Sequence, residues 1–248
     1  MKLVHAELLK LQKRRGLLAA AIVLTIVPVV VAYTVLSILH ASNPAEYDPA
    51  GGIENFTRSI ELLTQIGVVA AILVGATAGA GDRGAGVFRE LVVTGRSRLA
   101  LFAARVPGGL AFLLPPVAVG FAIAATSAVV LTGQGQAPVA AITIVETAGW
   151  VGLVMLTTYV LALGVSSAFA SRGTAIGILL GWQLAAAPIL LATGKLDNLL
   201  PNAALLTIQP AEEAQLVSTS LSTAIAILVV WTLVPLAAGA RRTQTADA

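Results

Sequence analysis

Cysteine is missing from this sequence, which excludes disulfides and thiolate metal sites. Charge is scarce: Asp, Glu, Lys and Arg make up 11% of the 248 residues, too little to cover a soluble domain of that length. No Gly-x-x-x-x-Gly-Lys-Ser/Thr segment is present to cradle a nucleotide phosphate, and the one Gly-Lys pair, Gly194-Lys195, lacks the upstream glycine. A zinc-protease helix and a Gly-x-Ser-x-Gly elbow are absent too. Together these gaps leave no set of groups from which to assemble a catalytic centre.

Long apolar runs fill the space that charge leaves. Hydrophobic residues make up 57% of the chain, and the mean hydropathy is +0.91. About 20 apolar residues in a helix cross a hydrocarbon core of about 30 Å. The runs place six spans at 17–39, 60–80, 106–131, 148–170, 174–193 and 221–240. They leave no room for a sizeable soluble domain, so residues 1–248 read as one transmembrane domain. Period-two alternation is absent, which rules out a barrel. The run from Leu17 to Leu39 is too long for a signal-peptide core, no small-residue cleavage site follows it, and it reads as a retained first span.

Charge orients the bundle. With the amino terminus in the cytoplasm, the Lys2 to Arg15 cluster, all arginines from Arg83 to Arg105, Arg172 and the Arg241-Arg242 pair fall inside, leaving only Arg58 and Lys195 outside. The acids lean outward: Glu46, Asp48, Glu54, Glu61, Glu146, Asp197, Glu212 and Glu213. A missed or invented span would scramble this partition. It puts both termini in the cytoplasm, and it assigns the net charge of +3 to topology rather than to a nucleic-acid partner. His5 and His40 fall on opposite sides of the membrane and cannot share a metal.

The spans carry almost no ionisable groups. Glu61, Arg105 and Glu146 sit near expected ends and read as interfacial flanks, which disfavours a proton pump or ion channel. Neutral polar groups remain, among them Thr64, Gln65, Thr77, Thr157, Thr158, Tyr159, Ser166, Ser167 and Gln183; they pair helices or meet an amphipathic cargo. Pro28, Pro115-Pro116, Pro188 and Pro235 fall within spans, where each removes a helix hydrogen bond; either the helices tolerate this in lipid, or kinks there shape a pathway or hinge. Glycines at four-residue spacing form two stripes, Gly75 and Gly79 on the second span and Gly173, Gly177 and Gly181 on the fifth. Such stripes let backbones approach, either within one chain or between two. Gly79-Ala80-Gly81-Asp82 also matches the Gly-x-Gly-Asp of intramembrane aspartyl proteases, but that chemistry needs a second carboxylate at the same depth, and no other span carries an aspartate.

Two cytoplasmic segments stand apart. In residues 2–15, Val4, Leu8 and Leu11 share one face of a helical wheel while Glu7, Lys10, Lys13 and Arg14 fall elsewhere, which predicts a helix lying in the membrane interface. Between the second and third spans, Gly81 to Arg98 is the only substantial internal loop. Val87, Phe88 and Leu91 predict a short amphipathic helix flanked by Arg89 and Glu90, ended by Gly95, with Ser97 capping the helix that follows.

That loop resembles the cytoplasmic loop of permease subunits in the type-2 ABC-transporter family. Asp82 matches the family's acidic residue, and Leu91-Val92-Val93-Thr94-Gly95-Arg96-Ser97-Arg98 matches its Leu-Leu-x-Thr-Pro-x-Ser-Arg-like run, with Gly95 replacing the usual proline. Leu200-Pro201-Asn202-Ala203-Ala204-Leu205-Leu206, before the last span, also looks like the family, where short re-entrant helices occupy that place. The resemblance extends to the whole layout: an all-α membrane protein with an amino-terminal interfacial helix, six spans and a cytoplasmic coupling helix.

What the resemblance implies is a pore-forming subunit that is not itself an enzyme. Asp82, Val87, Phe88, Arg89, Glu90, Leu91, Arg96 and Arg98 would form the ATPase-coupling loop. Two copies of a separate ABC ATPase would bind ATP and magnesium, and this chain would hold no cofactor or metal. A second permease chain, identical or related, would pack against Gly173, Gly177 and Gly181. Uncharged spans point to export of an amphipathic or hydrophobic substrate (a lipid, drug or antibiotic) across a bacterial plasma membrane, where arginine over lysine and abundant alanine suggest a GC-rich source. The alternative is a membrane-anchored assembly or signalling protein without a cargo.

Overall fold

The computed structural model describes residues 2–84, 97–210 and 219–245. A short helix α1 (Lys2–Gln12) precedes six helices long and apolar enough to cross a membrane: α2 (Arg15–Ser42), α3 (Gly52–Gly84), α4 (Arg98–Val130), α5 (Ala141–Phe169), α6 (Arg172–Ala192) and α8 (Leu221–Thr245). A further short helix, α7 (Pro201–Ile208), lies between α6 and α8. No strand occurs among the described residues. Helices are the expected outcome, because in lipid each backbone N–H must find a carbonyl within its own segment. The protein is an all-α, multi-pass membrane protein, and each expected span falls within or against one long helix.

The six helices run alternately between two faces. One, the basic face, holds α1, the end of α3, the start of α4 and the end of α8. The opposite face is called here the far face. On it, the α2–α3 and α4–α5 connections are knitted together by Gly51 N–H donating to Leu131 O at 3.1 Å, Ile53 N–H to Ala137 O at 3.0 Å and Gln136 Nε2 to Pro49 O at 2.6 Å.

α3 is the central helix. In its most apolar stretch 72% of residues are buried, against 17% for α2, α6 and α8, so those three form the lipid-facing shell. α3 packs on α2, α4, α5 and α6, and α5 packs in turn on α8. Small residues set the α3–α5 spacing. A Cβ placed on Gly75 would lie 2.6 Å from Tyr159 O and 2.8 Å from Ala162 Cβ, and one on Gly79 would collide with Ser166 Oγ and lie 2.6 Å from Leu163 O. From the other side Ser166 Oγ donates to Gly75 O at 3.4 Å and Ser167 Oγ to Gly79 O at 3.3 Å. The Gly75/Gly79 stripe is therefore an intramolecular contact. α5 and α8 cross just as closely, at Gly164 against Pro235 and Gly239.

Two expectations need correction. α4 begins at Arg98 rather than near 106, so Arg105 is two turns inside the helix and 3% exposed, not an interfacial flank. On α1 the buried residues are Glu7 and Leu11, so Glu7 belongs to the inward face rather than the solvent face. The expected cap at Ser97 is present. Ser97 caps α4, its side chain accepting from Ala100 N–H at 3.2 Å. Pro188 disturbs its helix, but through a π-helical turn at Trp182–Ala186, closed by Ala187 N–H donating to Trp182 O. Widening the helix ahead of a proline relieves the crowding its ring imposes on the preceding turn.

Candidate functional site

Two arrangements stand out: a buried polar node at the basic face, and a neutral cavity between α3, α5, α6, α7 and α8.

The node lies where the helices flanking the 85–96 loop meet α1. Asp82 is in the last turns of α3. Val87, Phe88, Arg89, Glu90, Leu91 and Arg96 lie outside the described residues. Arg98 opens α4, and its Nη1 donates to Gln244 O at 3.1 Å, tying that end to the end of α8. Arg105 Nη1 donates to Gly79 O at 2.9 Å. Arg14 also lies over the end of α3, with Nη2 3.1 Å from where a Gly81 Cβ would sit. Two guanidinium groups thus meet the carboxyl end of α3, where the helix dipole and its last carbonyls favour cations. Tyr159 donates its hydroxyl to Arg105 O at 2.6 Å. Its ring fills the space left by Gly109, where a Cβ would collide with the phenol oxygen.

α1 closes the node from below. A Cβ on Gly108 would be 2.8 Å from Glu7 Cβ and 3.2 Å from Val4 O, so α1 lies directly against α4. Glu7 Oε2 pairs with Lys10 Nζ at 2.6 Å. Its Oε1 is buried, with no hydrogen-bond partner among the described residues. The Gly108-Gly109 pair was the available sequence signal for this node, since small residues on a spanning helix mark a close neighbour.

The second arrangement depends on α7 tucking in between α5 and α8. Trp150 Nε1 donates to Leu205 O at 2.8 Å, and Trp231 Nε1 donates to Leu199 O at 2.9 Å. Trp150 and Trp231 lie nine and ten residues beyond the far-face starts of α5 and α8, or roughly 14–15 Å along the axes at about 1.5 Å per residue. α7 is therefore held below the far-face ends of α5 and α8, not level with them. Leu199 O precedes the helix and Leu205 O falls in its last turn, so neither has an intrahelical partner. In lipid such carbonyls cost several kcal/mol each if left bare, and the two indoles satisfy them. Pro201 at the first turn removes one N–H that would otherwise be orphaned.

Between α7 and the long helices lies a cavity of about 50 Å³ lined in part by Thr157, Thr158, Trp182, Gln183, Asn202 and Trp231. The π-helical turn sets the direction of Trp182, whose ring stacks on Trp231 with centroids 5.4 Å apart. Asn202 Nδ2 donates to Gln183 Oε1 at 3.3 Å. No charged side chain among the described residues lines the cavity. A wider cleft of about 650 Å³ on the far face includes Glu54, Arg58, Glu61 and Trp150. The Trp150–Leu205 contact stands between cleft and cavity.

The structure sorts the neutral polar residues by role. Thr64 and Thr77 bond to carbonyls of their own helix, Ser166 and Ser167 cross from α5 to α3, and Thr158 and Gln183 face the cavity. The second glycine stripe differs from the first. Gly173, Gly177 and Gly181 are exposed, and a Cβ on any of them would meet nothing within 4 Å.

No family model matches the chain, and no curated protein matches it.

Proposed function

We propose that this chain is the membrane-spanning permease subunit of an ATP-driven transporter of the type-2 ABC kind. It would work in a bacterial plasma membrane with its basic face and both termini in the cytoplasm, and would export an amphipathic or hydrophobic substrate. The observation that carries this reading is the node. Of the two helices that bracket residues 85–96, α3 belongs to the most buried pair in the bundle, α3 and α5, and α4 is tied to both members of that pair through Arg105. A push on the loop then reaches the core instead of bending a free end. The positive-inside partition favours the stated orientation, and the absence of a phosphate-binding motif calls for a separate ATPase, present in two copies with ATP and magnesium.

The exposed surfaces support the rest of the proposed assembly. The open Gly173/Gly177/Gly181 stripe suits a second permease chain, because close helix approach there is blocked by nothing in the first. The neutral cavity behind α7 suits an uncharged or amphipathic cargo, and the cleft beyond Trp150 gives it a way out at the far face.

Lack of cysteine makes the test direct. Arg89→Cys and Gln134→Cys, each the sole thiol, are treated with a membrane-impermeant maleimide in intact cells. Gln134→Cys should label and Arg89→Cys should not. Chain purified from its native operon should bring down an ATP-hydrolysing subunit, and Glu90→Lys should leave that ATPase bound but unresponsive to cargo. External labelling of Arg89→Cys, or absence of an ATPase, would refute the proposal.

A further inference from the structure

Beside the cavity, on the lipid-facing side of α5 and α8, runs a groove of about 380 Å³. Leu156, Val160, Ile225, Val229 and Leu233 form much of its surface. It holds two hydroxyls, and both are already used. Thr157 Oγ1 donates to Leu153 O at 2.8 Å and Thr232 Oγ1 to Leu228 O at 2.7 Å. The groove therefore offers a ligand only aliphatic surface. It lies along two spanning helices, where the surrounding medium is hydrocarbon chains.

Groove and cavity share a wall. Thr157, Leu228 and Thr232 line both. Behind that wall the chemistry changes. Thr158, Gln183 and Asn202 line the cavity, and the one side-chain hydrogen bond shown among these three is that from Asn202 Nδ2 to Gln183 Oε1. Groups of this kind inside a membrane protein need a partner, because bare amides and hydroxyls are costly away from water. The cavity is large enough for a few waters and too small for a lipid headgroup, so a headgroup could enter only if the cavity widened. The set comprises one amide donor, one amide acceptor and one hydroxyl, without charge. It complements a head bearing neutral hydroxyl or amide groups and carries no cation to offset the charge of a phosphate or carboxylate.

We propose that the cargo is a lipid-like amphiphile with an uncharged, hydrogen-bonding head, which enters sideways from the bilayer between α5 and α8. Its aliphatic chain occupies the α5–α8 groove, and its head passes Thr157 and Thr232 to reach Thr158, Gln183 and Asn202. This rests on the transport reading for its purpose. As a binding site it stands on geometry alone, and it is tested without an ATPase, so failure of either is visible separately.

The experiment uses the full chain in nanodiscs with Val229→Cys carrying an environment-sensitive bimane; Val229 is exposed in the groove. A long-chain monoacylglycerol is titrated in, with the fatty-acid anion of the same chain and free glycerol as comparisons. The monoacylglycerol should give a saturable blue shift, the anion should bind at least about tenfold more weakly, and glycerol should give no shift. Thr158→Val and Gln183→Leu should each weaken monoacylglycerol binding roughly fivefold to tenfold, the usual effect of one lost hydrogen bond in a closed site. Leu156→Trp, which fills the groove from an exposed position, should abolish the shift. Thr158→Val is nearly isosteric, so the head assignment stays testable even if Gln183→Leu misfolds. The proposal is overturned by a shift that does not saturate, by equal binding of the anion, by wild-type affinity in Thr158→Val, or by Val229→Cys crosslinking two copies of the chain, which would show the groove to be a subunit interface.

Discussion

Adding one methyl group at Gly79 should destabilise the protein, while the same change at Gly177 should not. In a helix interior Gly→Ala normally stabilises by about 0.5–1 kcal/mol through backbone entropy. At Gly79 the new Cβ would collide with Ser166 Oγ, lie 2.9 Å from Ser167 Oγ and lie 2.6 Å from Leu163 O. The serines can turn away, but Leu163 O is backbone. To reach ordinary contact α3 and α5 must part by about 0.8 Å, the gap between 2.6 and 3.4 Å. The bonds from Ser166 and Ser167 already measure 3.4 and 3.3 Å, so both would be lost. Overpacking typically costs 1–3 kcal/mol, and interhelical hydrogen bonds in membranes average about 0.6 kcal/mol each. After the propensity gain, Gly79→Ala should lose about 2 kcal/mol. Gly177→Ala meets nothing within 4 Å and should fall within about 0.5 kcal/mol of wild type or slightly above it. Equilibrium unfolding in mixed micelles at high dilution, where chains are monomeric, measures both. A Gly79→Ala variant as stable as Gly177→Ala would refute the packing argument.

Other expectations follow from the same contacts. Arg105→Met should cost about 1.5–3 kcal/mol, the range for a hydrogen bond to a charged group, and Arg105→Lys should recover only part of it; the same unfolding assay decides, with equal stability of Arg105→Met counting against the node. Tyr159→Phe, which removes only the hydroxyl bonded to Arg105 O, should cost about 1 kcal/mol and speed amide exchange in the first turns of α4. Trp231→Phe should free Leu199 O, lower stability by about 1–2 kcal/mol and raise hydrogen exchange across 199–205 more than elsewhere. Gly177→Cys, as the only thiol, should crosslink between two chains under oxidation, and a bulky Gly177→Leu should reduce self-association without changing monomer stability.

Much of the fold was legible because hydrocarbon thickness and the positive-inside bias act on local sequence. Six runs of suitable length appear, and the structure has a long helix at each. Ser97 was legible for the same reason, since a cap acts within one turn. Arg105 was misread because hydropathy marks where a run becomes apolar, not where the helix starts. α4 starts at Arg98, and the arginine is carried inward, where the carbonyl of Gly79 receives it. Glu7 was misread because a helical wheel shows which faces are apolar but not which neighbour covers them; Gly108 leaves room for α1 to dock that side inward. The two glycine stripes look alike in sequence and differ only in whether another helix lies opposite, which is tertiary information. A short helix before the last span was only what the resemblance of residues 200–206 implied, and its position depends on Trp150 and Trp231, which are 55 and 32 residues from the carbonyls they hold.

Those two tryptophans have a mechanical consequence. Each grips α7 from a different long helix, so the short helix acts as a strut of fixed length between α5 and α8. The two cannot drift apart at that level while both indoles hold on, and letting go leaves a carbonyl without its partner. Widening on this side of the bundle is therefore an abrupt step, in which the strut stays with one neighbour and leaves the other.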